Sequence, residues 1–190
     1  MPDYIAVVRD RLKHIKPSEL VSDSMRRASV LAIFLNKNGE THLLFTQRAK
    51  GIGYHSDQIS FPGGSMEKGE TALHAALRET YEEIGVESSE LEILGRFHDD
   101  SVPLSGYIIT PYAAILKTEP VFNLQISEVV EVFTVPFEFF MDESNYKPAR
   151  VRIIDNEFTI NGYTYDKYFI WGLTCRFIRS LVDIIRSVTV

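Results

Sequence analysis

Apolar positions recur along this chain with two different periods, and the switches between them mark the elements. Ile5, Val8, Leu12 and Ile15 repeat at helical spacing, which predicts a short amphipathic helix over residues 4–15, ended by Pro17. Residues 29–35 and 41–46 are apolar-rich runs on either side of Asn36-Lys37-Asn38-Gly39, the pattern of a β-hairpin. Further strands are predicted at 91–97, 107–117 and 129–134. Residues 150–154 and 158–165 suggest a final hairpin region with Asn161-Gly162 as its turn. A long helix over 170–188 sets Leu173, Phe177, Leu181, Ile184 and Val188 opposite Arg176, Arg179 and Arg186. Its simplest role is a layer over the core, with a homodimer contact as the alternative. Without internal repeats, this alternation of strands and helices implies an α/β fold with a mixed sheet between helices.

Residues 72–85 form a helix of a different kind. At 100° per residue, Glu79, Glu82 and Glu83 fall within an arc of roughly 100°, so three carboxylates project from one face. Leu73, Leu77 and Ile84 lie on the side away from Glu79 and Glu83 and predict a core-facing stripe. Ala72, Ala75 and Ala76 occupy the carboxylate side, where small side chains would let a loop or a phosphate come close. Gly85 is placed to end the helix in a left-handed conformation. Three converging negative charges repel unless a divalent cation neutralises them, and oxygen ligands favour Mg²⁺ or Mn²⁺. Arg78, one turn before Glu82, suits an ion pair behind the ligands. The competing reading is a solvated acidic helix face.

Composition leaves room for such a site. With 190 residues, 45% of them apolar and 12% aromatic, the chain can bury one sizeable core, and no Pro/Gly/Ser-rich linker divides it. One domain spanning 1–190 is expected. The lone Cys175 rules out an internal disulfide, fits a reducing compartment and sits in an apolar helical stretch as a buried, inert thiol. No apolar run reaches membrane-spanning length and the N-terminus lacks a leader pattern, so no membrane association and a cytoplasmic location are expected. The net charge of −6 argues against a broad nucleic-acid surface but permits a small anionic ligand held through metal and local cations.

The loop over 48–64 is too long and irregular for a simple connection, and such loops often carry function. Pro62-Gly63-Gly64 is expected to turn sharply, bringing backbone groups against a ligand, and a carbonyl near Gly63 or Gly64 could join a metal shell. Gly64-x5-Glu70-x7-Arg78-Glu79-Thr80-x-Glu82-Glu83-x-Gly85-Val86 resembles the Nudix box over 64–86. Only Thr80 departs, standing where an aliphatic residue is usual at a core-facing position. Leu44-Phe45-Thr46-Gln47-Arg48-Ala49, His55-Ser56-Asp57-Gln58 and Phe61-Pro62-Gly63-Gly64 are similar to the coenzyme A pyrophosphatase branch of that family. So are Asp100-Ser101, residues 105–111 and residues 127–136, which extends the resemblance over about 28–141. Ala49 replaces a serine of the branch pattern, and Asp57 replaces a glycine, adding a negative charge.

The resemblance implies a Nudix-type α/β/α sandwich and metal-assisted hydrolysis of a diphosphate in a nucleoside diphosphate derivative such as coenzyme A. The products would be 3′,5′-ADP and 4′-phosphopantetheine. Glu79, Glu82 and Glu83 would hold Mg²⁺ or Mn²⁺, helped by Glu70 or the Gly64 backbone. Glu82, Glu83 or Glu128 would remove the water proton; Glu128 also reads as a further metal ligand or as an ordinary exposed glutamate. Gly63 and Gly64 line the substrate path. Arg48 reads either as a substrate-phosphate contact or as a structural ion pair, and His55 as a phosphate contact or as support for the loop backbone. ADP-ribose, dinucleotides and nucleoside triphosphates are alternative substrates. A non-catalytic nucleotide sensor and a structural module are alternatives of other classes, disfavoured by the complete carboxylate set.

Overall fold

The computed structural model describes residues 3–49, 58–103, 105–118, 120–153 and 156–187. Helix α1 (Tyr4–His14) starts at Asp3, whose carboxylate accepts from the Ala6 amide, and buries Tyr4, Val8 and Leu12. Strands β1 (Arg26–Lys37) and β2 (Glu40–Arg48) form the predicted hairpin, in register from Phe34↔Leu43 to Lys37↔Glu40. Asn38 and Gly39 turn it with φ of 54° and 84°.

Around this hairpin the other strands assemble. They are β3 (Ile59–Ser60), β4 (Gly63–Ser65), β5 (Leu91–Arg96), β6 (Asp100–Val102), β7 (Tyr107–Leu116) and β8 (Val129–Pro136). Among the described residues they make an eight-stranded mixed sheet ordered β3-β2-β1-β7-β5, with β4 on β1, β6 on β7 and β8 on β2. The β1–β7 pair is parallel; the remaining pairs are antiparallel.

Both faces of β1 are covered, which is why it reads as an apolar run rather than an alternation. Leu31, Ile33 and Leu35 face helix α2 (Ala72–Ile84), with Ala76, Ile84, Val86 and Val129 in the same cluster. Ala28, Ala32 and Phe34 face α1 and helix α4 (Gly172–Arg186), which contributes Phe177, Ile178, Leu181 and Val182. The result is the expected α/β/α layering. A short α3 (Phe137–Met141) adds Phe137 and Phe140 to the second cluster.

Four expectations need correcting. In α2 the fully buried side chains are Ala75, Ala76, Thr80, Glu83 and Ile84; of the expected stripe Ile84 is in the core and Leu77 packs against it half-buried, while Leu73 is half-buried without joining that cluster. The alanines therefore face the sheet and bring the helix backbone close to it, rather than lining a ligand approach. Gly63-Gly64 is not a turn: the chain bends at Pro62, and the glycines run antiparallel to β1 in register with Val30 and Ser29. Asn161-Gly162 lies inside strand β10 (Asn156–Tyr165), not at a turn; β10 pairs with β9 (Tyr146–Ile153) and β11 (Tyr168–Ile170). A Cβ on Gly162 would stand 2.5 Å from the Ile170 carbonyl, so that glycine serves close packing. Finally, Ile170 belongs to β11 and α4 begins at Gly172; Val188 is outside the described residues. Cys175 is buried, and desolvation pushes its thiol up to about 11, far from the range of a reactive thiolate.

Candidate active site

Helix α2 is held at both ends by its own sequence. Thr71 caps the start by accepting from the His74 amide, and Gly85 ends it in the left-handed region at φ 76°, its amide donating to the Tyr81 carbonyl at 2.8 Å. Thr80 is fully buried, as its place in the pattern predicts, and its hydroxyl is satisfied by the Ala76 carbonyl at 2.7 Å. The helix therefore tolerates a polar atom against the sheet without an orphaned group.

Glu83 projects into that interface and is only 1% exposed. Its Oε2 accepts from the Gly63 amide at 3.1 Å, and its Oε1 faces Arg48 Nη1 at 3.4 Å. Burial nonetheless wins: the carboxyl is pushed up to about 7, since desolvation outweighs Arg48 and the Gly63 amide, while Glu79 and Glu128 add repulsion. Glu79 is also raised, chiefly by desolvation, with Glu82 and Glu128 adding to the rise and Arg78 pulling against it. Both shifts record burial first, with repulsion between the neighbouring carboxylates adding to it.

Arg78 is the hub of the outer shell. Its Nε and Nη2 clamp Glu70 at 3.0 and 3.1 Å, Nη1 reaches Glu79 at 2.8 Å and Glu82 at 2.9 Å, and Nη2 also donates to the Ser65 carbonyl at 3.0 Å. The Glu82 pair is the one that the i, i+4 spacing predicts. Glu70 is committed to this clamp, with its remaining contacts to the Glu67 amide and to His74, and Arg78 holds its carboxyl down at about 2.

Gly64 stands directly over Glu79: a Cβ there would lie 2.4 Å from the carboxyl carbon. Gly63, at φ 149°, is closed in from the other side, where a Cβ would meet the Ser29 carbonyl at 2.2 Å. The two glycines thus fit one strand between β1 and the carboxylates, a requirement of close approach. Arg48 reaches this site through a register shift between β2 and β8, where Gln47 pairs with Glu131 and Arg48 with Val129. Ala49 donates to the Glu128 carbonyl at 2.8 Å, tying Glu128 to the same corner. The sites expected at His55 and Asp57 lie outside the described residues.

Among the described residues, no three His, Cys, Asp or Glu side chains are gathered closely enough to cage an ion in this geometry. The donor set still fits a hard divalent cation. Arg78 takes only Oε1 of Glu79 and Oε2 of Glu82, so each keeps a carboxylate oxygen free of hydrogen bonds among the described residues. Buried, mutually repelling carboxylates are the groups that such a cation stabilises.

Ser65 and Glu67 were not singled out by the sequence pattern. Ser65 contributes through its backbone carbonyl, which leaves no residue-type signal, and Glu67 through its amide. The Gln125 amide likewise donates to the Glu83 carbonyl at 3.0 Å, pinning the helix end to the segment before β8.

An acidic helix packed behind a glycine strand on a mixed sheet defines a Nudix-type hydrolase. Residues 25–156 match the NUDIX domain, and the chain belongs to the Nudix hydrolase family, whose members are enzymes that generally use divalent metal ions. It is 30% identical over 181 residues to the uncharacterized Nudix hydrolase NudL of Photorhabdus laumondii, covering 93% of this chain and 94% of that protein. NudL of Enterobacter is 32% identical over 158 residues, covering 82% and 81%. The fold is shared with a MutT/nudix family protein from Enterococcus faecalis, with TM-score 0.52 and 18% identity over 90% of this chain and 64% of that one. A C. elegans Ap4A hydrolase shares it with TM-score 0.51 and 21% identity over 60% and 81%. No helix among the described residues is long and apolar enough to cross a membrane.

Proposed function

We propose that this Nudix hydrolase cleaves the diphosphate linkage of coenzyme A or an acyl-coenzyme A, releasing 3′,5′-ADP and 4′-phosphopantetheine or its acyl form. The observation that carries the reading is the meeting of Glu79, Glu83, Arg48 and Glu128 at the Gly63-Gly64 strand. Arg48 and Glu128 come from stretches whose sequence is similar to the coenzyme A branch, and Glu79 and Glu83 from the Nudix box. Glu79, Glu82 and Glu83 would hold Mg²⁺ or Mn²⁺, with the Gly64 backbone beside them, and such an ion would supply charge neutralisation for the diphosphate and a more acidic water.

The residues of the chain do the rest. Arg48 binds a substrate phosphate through its guanidinium fork. Glu128, the carboxylate of this corner outside the α2 arc, takes the proton from the attacking water. Glu70 departs from the role first expected of it: with its oxygens committed to Arg78, the Glu67 amide and His74, it supports Arg78, which in turn orients Glu79 and Glu82. The apolar cluster that runs from Tyr4 in α1 to Ile184 in α4 supports one working domain.

The test is product identification by mass spectrometry after incubation with coenzyme A, ADP-ribose, NADH and nucleoside triphosphates under saturating Mg²⁺ and then Mn²⁺. Appearance of 3′,5′-ADP from coenzyme A, faster than cleavage of the others, is the expected result. Preferential cleavage of ADP-ribose, a dinucleotide or a triphosphate would overturn the substrate assignment while leaving the diphosphate chemistry in place.

A further inference from the structure

We infer that Arg26, stacked on Tyr107, forms a subsite for a second, terminal phosphate of the substrate, distinct from the scissile diphosphate. The inference deepens the coenzyme A reading and rests on it for the identity of the substrate.

Ser65 pairs with Ala28 across β1–β4, and Arg26 pairs with Tyr107 across β1–β7. Residues two apart on a strand share a face, so Ser65, Arg26 and Tyr107 come together on the sheet face of Ala28, opposite the one that α2 covers. The contacts agree. The Tyr107 hydroxyl and Ser65 Oγ are 2.9 Å apart, and the Arg26 guanidinium lies 4.2 Å from the centre of the Tyr107 ring. Ser65 follows Gly64, which touches Glu79, and its carbonyl takes Arg78. A series of contacts therefore runs from Glu79 through Arg78 to the Ser65 carbonyl, and from the Ser65 hydroxyl on the other face through Tyr107 to Arg26, crossing the sheet at its β4 edge.

Arg26 differs from the arginines around it in its charge balance. The chain has 26 acidic and 20 basic residues, so an arginine should find a carboxylate with ease. The neighbouring arginines do: Arg27 pairs with Asp99, Arg48 with Glu83, Arg78 with Glu70, Glu79 and Glu82, and Arg176 with Asp100. Arg26 is exposed, and among the described residues its side chain has neither an ion pair nor a hydrogen bond. Its backbone is nevertheless fixed, the amide donating to the Gly106 carbonyl at 2.8 Å. The ring beneath it is half-buried against the core. A guanidinium held flat on a fixed ring, with its N–H fork unused, is set to take a phosphate in two parallel hydrogen bonds. Desolvating it costs less than a lysine would, and no internal partner has to be displaced.

Coenzyme A carries such a phosphate on its ribose, and dephospho-coenzyme A lacks it. The wild-type protein should favour coenzyme A in kcat/KM, and Arg26→Ala should reduce that preference about tenfold, the worth of one charge-assisted contact. Arg26→Lys should restore only part of it, because the fork is lost. Calorimetry with adenosine 3′,5′-bisphosphate and with AMP tests the subsite without turnover: the bisphosphate should bind more tightly to wild type, and Arg26→Ala should erase most of the difference. An equal affinity of wild type for the two nucleotides, no detectable binding of either, or a difference that survives Arg26→Ala would overturn the inference. If neither coenzyme substrate is hydrolysed but the calorimetric difference depends on Arg26, the coenzyme A reading fails and the subsite stands.

Discussion

The Cβ that Gly64 lacks would stand 2.4 Å from the Glu79 carboxyl carbon and within 2.6 Å of both its oxygens. The neighbouring Gly63 is confined differently, by backbone: the Ser29 carbonyl at 2.2 Å and Val30 Cα at 2.6 Å. Two adjacent glycines are thus required for different reasons, and their alanine variants should part company.

Gly64→Ala can be accommodated by swinging the far end of Glu79, so the fold should survive with a small change in Tm. The carboxylate would be displaced from its place against the strand, and kcat should fall by roughly 10²-fold, the scale of a lost catalytic electrostatic contact. Gly63→Ala also forces a φ of 149° on a residue with a side chain. It should cost about 3 kcal/mol or more in stability. Paired thermal melts and kinetics check this; a Gly64→Ala enzyme with full activity would remove Glu79 from the site.

Glu79→Gln and Glu83→Gln should each lower kcat by roughly 10²-fold or more at saturating metal, with the fold intact. Stability of the metal-free protein at neutral pH should not fall and should rise for Glu83→Gln, because that side chain is buried against too little positive charge. Near-wild-type turnover in both variants would sink the metal assignment.

These residues also mark how far the sequence could be read. The Gly85 terminus and the β1–β2 hairpin follow from local periodicity and turn chemistry, and both are present. The full burial of Ala75 and Ala76, deeper than that of Leu73 and Leu77, was not legible. A helix facing glycine and apolar strand residues packs closest through its smallest side chains, and periodicity weights large ones. Asn161-Gly162 has hairpin chemistry but is overridden by the pairing of β10 with both β9 and β11. The Arg78–Ser65 contact is a side chain meeting a backbone carbonyl brought near by strand pairing, so no pattern of residue types announces it.

The pH dependence of the metal-free protein should have two limbs of opposite sign. Glu83, raised from 4.5 to about 7 by burial, binds a proton more tightly in the folded state than in the unfolded chain. Between those values the native state holds more protons, so stability should decline as pH rises through the window and stay reduced above it. Glu70, lowered from 4.5 to about 2 by Arg78, acts the other way: its contribution is present above 4.5 and lost as pH falls toward 2. Melting curves in chelator from pH 3 to 8 should show both limbs, and Glu83→Gln should flatten only the upper one. An upper limb unchanged by that substitution would show that another group causes it.

Arg48 touches Glu83 through one long contact of 3.4 Å, too loose to be the whole reason for an arginine at this corner. If it reads a substrate phosphate, Arg48→Ala should raise KM more than it lowers kcat, since the contact is shared by ground and transition states. If it only offsets the Glu83 charge, its removal should instead lower Tm and depress activity toward every substrate alike. A double-mutant cycle separates the two, using calorimetric binding of coenzyme A because Glu83→Gln is slow. The two substitutions should be nearly additive in ligand affinity, each acting on its own partner. In a Glu83→Gln background, an Arg48→Ala change without effect on affinity would assign Arg48 to the ion pair alone.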